Sequence, residues 1–382
     1  MTTHDTTAAQ EPTATGPEPV DTAIIGAGQC GLATAYHLKR AGLQAVVLDE
    51  NARTGDNWRK RYDSLRLFTP SQYDGLPGMA FPLPRRTWPT GRQMADYLET
   101  YADRMGLDVR HGMKVDRVNA TDDGGYLVSC GSTRMLARQV VVATGGEHHP
   151  HVPAFADDLD PGIRQIHSND YRNPGQLLPG TVLVVGASHS GADLALETVT
   201  SGHETWLCGP ERGQIPFDIE GTSGRVAVPV AWFAANHLLT TRTPIGRKMQ
   251  PEIRSHGAPL IRVKKEHLDA AGVHRSTGKV TGVRDGLPVL EDGTVLDVRN
   301  VLWCTGFRQD FGFLDLPVVG DDGWPLDQGG VVPSAPGLYF VGLLFQRGFY
   351  SMLIGGAGRD AGFIARHIVA RSRAAARAGV PV

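Results

Sequence analysis

Residues 22–49, TAIIGAGQCGLATAYHLKRAGLQAVVLD, restrict the fold of this chain more than any other stretch. Ala23-Ile24-Ile25 is an apolar run of the kind that fills a buried strand. Gly26, Gly28 and Gly31 follow at G-x-G-x-x-G spacing. Leu32 to Arg40 predicts an amphipathic helix that Gly42 ends, and Ala45–Leu48 predicts a second strand closed by Asp49 and Glu50. That order is a βαβ nucleotide-binding unit. Gly26 permits the tight turn, Gly28 lets backbone approach a pyrophosphate, and Gly31 lets helix and strand pack closely. The phosphates then lie at the positive end of the helix dipole, and the acid at the strand end accepts hydrogen bonds from a ribose diol.

A second unit of the same design starts at Thr181. The apolar strand Thr181–Val185 runs into Gly186-Ala187-Ser188-His189-Ser190-Gly191, the helix Ala192–Thr200 and the strand Thr205–Cys208. Ser188 replaces the middle glycine. No carboxylate ends the second strand, and Arg212 follows shortly after it, an arrangement that accommodates a 2′-phosphate and favours NADPH over NADH. Two such units in one chain suit FAD in the first and NADPH in the second, and flavin beside reduced nicotinamide means hydride transfer.

The remaining stretches fit an α/β chain long enough for two domains at 382 residues. Residues 50–82 form an aromatic-rich loop with poor periodicity, and Met94, Tyr97, Leu98 and Tyr101 mark a structural helix in 91–106. Short β-like runs at Asp108–Arg110, Gly112–Ala120, Tyr126–Cys130 and Met135–Ala143 suggest a small antiparallel insertion followed by a return strand. Val140–Ala143 leaves its sheet through Thr144-Gly145, as Val298–Cys304 does through Thr305-Gly306. His148, His149 and His151 lack an acidic or thiol partner at ligand spacing, so no metal is expected. Val226–Leu239 is apolar and reads as a pocket wall, a lid or a core helix. Pro259–Ala271 reads as a surface helix, and Asp292-Gly293 as a hairpin turn. Leu338–Gly342 is a further buried strand. Gly355-Gly356-Ala357-Gly358 introduces a last helix, Ala361–Arg373, whose N-terminus is a candidate neighbour of the flavin ring.

A net charge of −2 gives no footprint for nucleic acid or an acidic membrane surface over the chain as a whole. Cys30, Cys130, Cys208 and Cys304 form no C-x-x-C pair, which argues against a thioredoxin-type dithiol and for a reducing, cytoplasmic location. Residues 1–18 carry no apolar core and read as a disordered tail rather than a targeting peptide. No apolar run is long enough for a membrane span.

Taken together, GAGQCG, VVLDE with TGDNW, RYDSLRLFTP, LPGMAFP, VVATGG, HSNDYRNP, VVGASHSG, VLWCTGF and LYFVGL resemble the flavin-containing monooxygenases, in particular their short bacterial relatives. The resemblance spans roughly residues 20–370. It implies an NADPH domain (161–299, with a candidate substrate lid at 215–260) inserted into an FAD domain (19–160 and 300–382). It further implies that NADPH reduces FAD, that O₂ forms a flavin C4a-(hydro)peroxide, and that this oxygenates a small organic substrate. On the family's positions, Gly26, Gly28, Gly31 and Asp49 fall on FAD, and Asn57-Trp58 match a flavin-proximal pair. Gly186, Ser188, Gly191 and Arg212 fall on NADPH, and Thr305-Gly306 match the second linker. Asn57, Trp58, Thr69 and Gln346 are the candidates facing the flavin; Glu50, Thr144, Gly145, His189, Ser190 and Gly342 join the cofactor contacts. Two departures stand out. The F-x-G-x-x-x-H fingerprint is degraded before His167, and an asparagine that many members place after the Tyr-x-x-Leu segment is here Phe68, followed by Thr69. A reductase or oxidase is therefore the alternative, and a redox-sensing binding protein the reading from another class. Substrate identity and oligomeric state, a homodimer included, stay open.

Overall fold

The structure, a computed structural model, describes residues 16–255, 257 and 259–378. Most of the expected tail lies outside them, and Glu18 already belongs to the first strand. β1 (Glu18–Ile25), β2 (Ala45–Leu48), β3 (Asp108–Arg110), β4 (Arg117–Ala120), β5 (Tyr126–Cys130) and β6 (Thr133–Val142) form one sheet in the order β3-β2-β1-β6-β5-β4. β1 is parallel to β2 and β6, which is why residues 22–25 are buried on both faces and apolar in near-continuous runs. β6 divides its other edge. Thr133–Ala137 pairs antiparallel with β5, and Val140–Val142 pairs parallel with β16 (Leu338–Phe340) from the far end of the chain. The helices α1 (Gln29–Arg40), α3 (Gly91–Met105) and α8 (Ile354–Arg377) cover one face, with α1 packed on α8 through Leu32, Leu38, Ile364 and Ile368.

Between β6 and β16 the chain builds a second sheet, β11-β10-β9-β14-β8, with every pairing parallel. Its strands are β8 (Arg164–His167), β9 (Val182–Val185), β10 (Thr205–Cys208), β11 (His274–Ser276) and β14 (Asn300–Trp303), with α4 (His189–Thr200) and α7 (Lys265–Ala271) packed together on it. β14 lies inside this sheet, between β9 and β8, although a boundary at residue 300 assigns it to the first. The chain passes between sheets twice, and the two passages pair antiparallel as β7 (His149–Pro150) and β15 (Phe307–Arg308). The fold is thus the expected α/β pair of nucleotide units, one nested in the other.

Several expectations change in detail. The hairpin of β12 (Val280–Arg284) and β13 (Leu287–Leu290) turns at Asp285-Gly286, both at positive φ as a two-residue hairpin needs. The expected turn at Asp292-Gly293 follows it, folding β13 back antiparallel on residues 294–296 with Leu290 N donating to Thr294 O at 2.8 Å. Gly355–Gly358 lie inside α8 and not ahead of it, because close contacts to Tyr73 and Pro77 leave no room for side chains there. The run expected at Gly112–Ala120 shortens to Arg117–Ala120, and the helix expected over 259–271 shortens to α7 (Lys265–Ala271). Residues 226–237 fall in α5 (Gly224–His237), with 238 and 239 just beyond it, and α5 is no core helix, since only Gly224 and Ala235 of it are buried. α5 and α6 (Pro244–Ser255) cross to the first unit and brace the segment after β16. Thr241 N donates to Arg347 O at 3.0 Å, Phe349 N to Leu239 O at 2.8 Å and Gln250 Nε2 to Phe345 O at 2.8 Å.

Candidate functional site

In each sheet a glycine turn leaves the carboxyl end of a central strand and starts a helix, β1 into α1 and β9 into α4. The two turns are near copies. Gly26 N donates to Leu48 O and Gly186 N to Cys208 O, each at 2.7 Å. A Cβ on Gly31 would lie 1.9 Å from the Gly26 carbonyl oxygen, and one on Gly191 1.7 Å from that of Gly186. Only glycine lets these helices begin so near their strands. At Gly28 a Cβ meets nothing within 4 Å. That side opens over the N-terminus of α1, whose first N–H groups have no side-chain cap, and it fits a pyrophosphate.

Asp49 is buried at the foot of this turn. Its Oδ2 accepts from Ala27 N at 2.7 Å, and its Oδ1 accepts from the backbone and side-chain nitrogens of Asn51, both at 2.8 Å. A carboxylate has about four acceptor positions, so capacity for a ribose hydroxyl remains. Glu50 beside it is exposed. Asn57 and Trp58 sit in the short α2 (Asp56–Arg59); Asn57 is exposed and Trp58 packs against the core behind α1. At the end of β16 a Cβ on Gly342 would strike Cys30 Sγ at 2.7 Å, so this glycine lets the strand abut the start of α1.

Two candidate residues turn inward. Gln346 is buried, and its amide nitrogen donates to Phe340 O at 3.1 Å and, more weakly, to Asp327 at 3.4 Å. Thr69 Oγ1 donates to Asp74 Oδ1 at 2.5 Å. Asp74 is fully buried, its Oδ2 has no partner, and burial pushes its carboxyl up to about 7 despite the Thr69 bond.

The linkers hold the two units in register. Thr305 Oγ1 donates to His151 O, His151 N donates to Gly306 O at 2.9 Å, and His167 Nε2 lies 3.1 Å from the same oxygen. The displaced fingerprint histidine thus secures the second Thr-Gly linker. Thr144 and the positive-φ Gly145 start the first, with Thr144 Oγ1 3.0 Å from His148 Nε2. Asp310 engages two of the clustered histidines, its carboxylate pairing with His149 and its backbone nitrogen donating to His148 Nδ1 at 2.7 Å, while His151 serves the second linker.

Beside the second turn, at the carboxyl end of β10, lies a cleft whose floor is Leu207, Leu260 and Leu268 and whose rim is Arg212, Lys265, Arg275, Ser276 and Thr277. Glu211 stands between the cations, paired with Lys265 and with Arg275 at 3.1 Å, and the pairs hold its carboxyl below the usual range. An apolar floor with a cationic rim fits an adenosine carrying a phosphorylated ribose. Lys265 and Arg275 lie 53 and 63 residues beyond Arg212, and Lys265 reads locally as one charge on a solvated helix; only the parallel order of β9, β10 and β11 joins them.

A second cleft lies where the units meet. Phe68, from the loop of the first unit, touches His189 at the start of α4 with ring centroids 5.3 Å apart, and Arg66, Asp193 and Arg262 complete the walls. Burial lowers the His189 pKa, so the ring is neutral near pH 7, and its Nε2 lies 2.5 Å from Pro259 O. Ser188 is the N-cap of α4, and Ser190 is half-buried in its first turn. Tyr62 Oη donates to Asp193 Oδ2 at 3.0 Å while Arg262 binds Oδ1 at 3.2 Å, tying the loop of one unit to the helix of the other. Tyr62 and Asp193 are 131 residues apart, and nothing in either local sequence marks the pair.

Residues 23–217 match the pyridine nucleotide-disulphide oxidoreductase family. A CzcO-like oxidoreductase of Geobacillus kaustophilus, described as uncharacterized, is 36% identical over 352 residues, covering 92% of this chain and 98% of its own. A probable indole-3-pyruvate monooxygenase of Arabidopsis thaliana, YUCCA3, is 30% identical over 391 residues, covering 91% and 86%. The flavin-containing monooxygenase from Stenotrophomonas maltophilia superposes with a TM-score of 0.75 at 25% identity, over 93% of this chain and 99% of that one. With its paired glycine cradles and twin linkers, the chain belongs to the pyridine nucleotide-disulphide oxidoreductase family, among the flavin monooxygenase-type oxidoreductases.

Proposed function

We propose that this protein is a monooxygenase that uses FAD and NADPH to place one atom of O₂ on a small organic substrate. The cleft where the loop that follows the first nucleotide unit meets the start of the second turn's helix, across the Phe68–His189 contact, carries this reading. The first turn, with Gly28 open and Asp49 below it, holds FAD; Asn57 and Trp58 flank its ring. The second turn and the Arg212–Lys265–Arg275 rim hold NADPH, with the 2′-phosphate on the cations. Bound FAD supplies the chemistry, accepting hydride from NADPH and passing electrons to O₂ for oxygen transfer at nitrogen, sulfur or a carbonyl carbon.

The protein's part is binding, orientation and water exclusion. Once Asp74 is ionised, Thr69 gives its hydrogen to that carboxylate and its oxygen offers only an acceptor. Gln346 acts through the turn it pins, not by touching the ring. Disulfide exchange finds no support, because all four thiols are unpaired and burial pushes Cys30, Cys208 and Cys304 up to about 12 and Cys130 to about 11, far from the thiolate.

A second reading, an oxidase or reductase, is favoured by Phe68, which cannot donate the hydrogen bonds of an amide at that position. Anaerobic reduction by NADPH and by NADH, followed by mixing with ¹⁸O₂, separates the two. Fast bleaching by NADPH with label in an oxygenated product supports the monooxygenase. Stoichiometric H₂O₂ with every nucleophile or ketone offered supports the second reading, and a chain that takes up no flavin overturns both.

A further inference from the structure

Among the described residues, eight large apolar side chains stand exposed, and five of them fall between Gly224 and Ser255. Val226, Val230 and Phe233 are 72%, 63% and 59% exposed, and Leu238 and Ile245 follow at 51% and 60%. The first three recur at helical spacing, with exposed Pro229 between them, so they share the outer face of α5. The inner face is occupied: Trp232 stacks on Tyr73 at 4.5 Å between centroids, and Asn236 O receives Arg359 at 2.6 Å. α5 therefore presents an apolar ridge while its other side is fixed to the FAD-binding unit.

Charge within the α5–α6 segment is predominantly positive. Between Gly224 and Ser255 the cations are Arg225, Arg242, Arg247, Lys248 and Arg254, against one acid, Glu252. All but Arg254, which lies over Trp324, are exposed. Two exposed acids, Asp218 and Glu220, stand at the start of α5, where Asp218 bonds Ser223, so the cationic excess lies toward the α6 end. The whole-chain charge of −2 conceals this local excess.

We propose that the α5–α6 face is a peripheral docking surface for an anionic lipid bilayer. Val226, Val230, Phe233, Leu238 and Ile245 enter the headgroup boundary while the arginines and Lys248 remain among lipid phosphates. A helix of 14 residues is about 21 Å long and lies flat on the surface. No described helix is long and apolar enough to cross a membrane. A second copy fits less well, because a two-fold contact through this ridge sets like cations against each other.

The test is co-sedimentation of the full-length, flavin-loaded protein with phosphatidylcholine vesicles, with and without phosphatidylglycerol. Expected is binding about tenfold tighter to the anionic vesicles, weakened by salt. Val230→Asp with Phe233→Asp cuts it by about tenfold, and Arg242→Glu with Lys248→Glu removes the dependence on phosphatidylglycerol. These positions are exposed, so melting temperature and flavin content stay unchanged and serve as the control. No binding to either vesicle, or equal binding to both, overturns the proposal. So does a dimer in sedimentation velocity that Phe233→Asp dissolves, which assigns the ridge to a second copy.

Discussion

Replacing Lys265 with alanine tests which end of the NADPH molecule the cationic cleft recognises. Lys265 shares the rim with Arg212 and Arg275, and its side chain is 30% exposed. A unit charge about 4 Å from another contributes about 1 kcal/mol in bulk water and about 4 at an effective dielectric of 20. A partly exposed ammonium facing a phosphate falls between, at about 2 kcal/mol, or roughly 30-fold in Kd. Glu211 already neutralises part of that charge, so Glu211→Gln has the opposite sign and tightens binding by about threefold. The assay is fluorescence titration of the oxidised protein with NADP⁺ and NAD⁺, which needs neither turnover nor a substrate. Lys265→Ala weakens NADP⁺ by the stated factor and leaves NAD⁺ within about twofold. An equal loss for both nucleotides places Lys265 on the shared part of the dinucleotide and refutes the 2′-phosphate argument. Weaker NADP⁺ binding in Glu211→Gln shows instead that Glu211 holds the cations in position.

Three further outcomes follow from the geometry. Gly28 has φ −75°, open to any residue, and empty space around its missing Cβ, so Gly28→Val fills the cradle without backbone strain. The expected product is a folded, colourless protein, read from circular dichroism and flavin absorbance; yellow protein refutes the cradle. Tyr62→Phe removes the bond to Asp193 and costs about 2 kcal/mol of stability, while flavin content stays and NADPH-driven bleaching slows because the two units lose their tie. An unchanged bleaching rate refutes that coupling. The Asp74 carboxyl is raised from 3.8 to about 7, so the folded chain binds this proton more tightly than the unfolded one. The stability it contributes is complete below pH 3.8 and is lost as pH rises through about 7, up to about 4 kcal/mol. Asp74→Asn, which still accepts from Thr69, abolishes that dependence. Melting temperatures measured at about pH 5 and about pH 8 therefore diverge between the two proteins at the higher pH, and parallel curves refute the assignment.

What the sequence discloses follows the range over which its signals act. The glycines at 26, 28 and 31 and at 186 and 191 constrain backbone within a few residues, and both turns are legible with their flanking strands. Asp49 and Arg212 are legible because one closes, and the other shortly follows, the strand that comes after its own glycine turn. The nested order is legible only through the resemblance to the flavin-containing monooxygenases, since pairing across the linkers joins residues some 160 apart. Elements whose limits depend on tertiary contact shift instead. α8 begins before its glycines, where Tyr73 and Pro77 leave no room for a side chain, and the β12–β13 hairpin turns at Asp285-Gly286 ahead of the turn at Asp292-Gly293.

The cleft between the units shows why site chemistry is harder to read than cofactor identity. Tyr62, Asp193 and Arg262 come from three segments, and each alone is an ordinary aromatic or charged residue. Thr69 illustrates the same limit from the other side. Position along the Tyr-x-x-Leu segment nominates it to face a ring, but its hydroxyl proton is taken by a carboxylate five residues away, which no spacing rule reports. That bond transfers the question to Asp74, a buried acid whose second oxygen has no partner. If Asp74 is protonated near neutral pH, Thr69 can reverse its bond and donate elsewhere; once Asp74 ionises, the hydroxyl is locked toward it. Activity that depends on a Thr69 donor then falls as pH rises through about 7 and loses that fall in Asp74→Asn. A pH profile identical in the two proteins removes Thr69 from the chemistry.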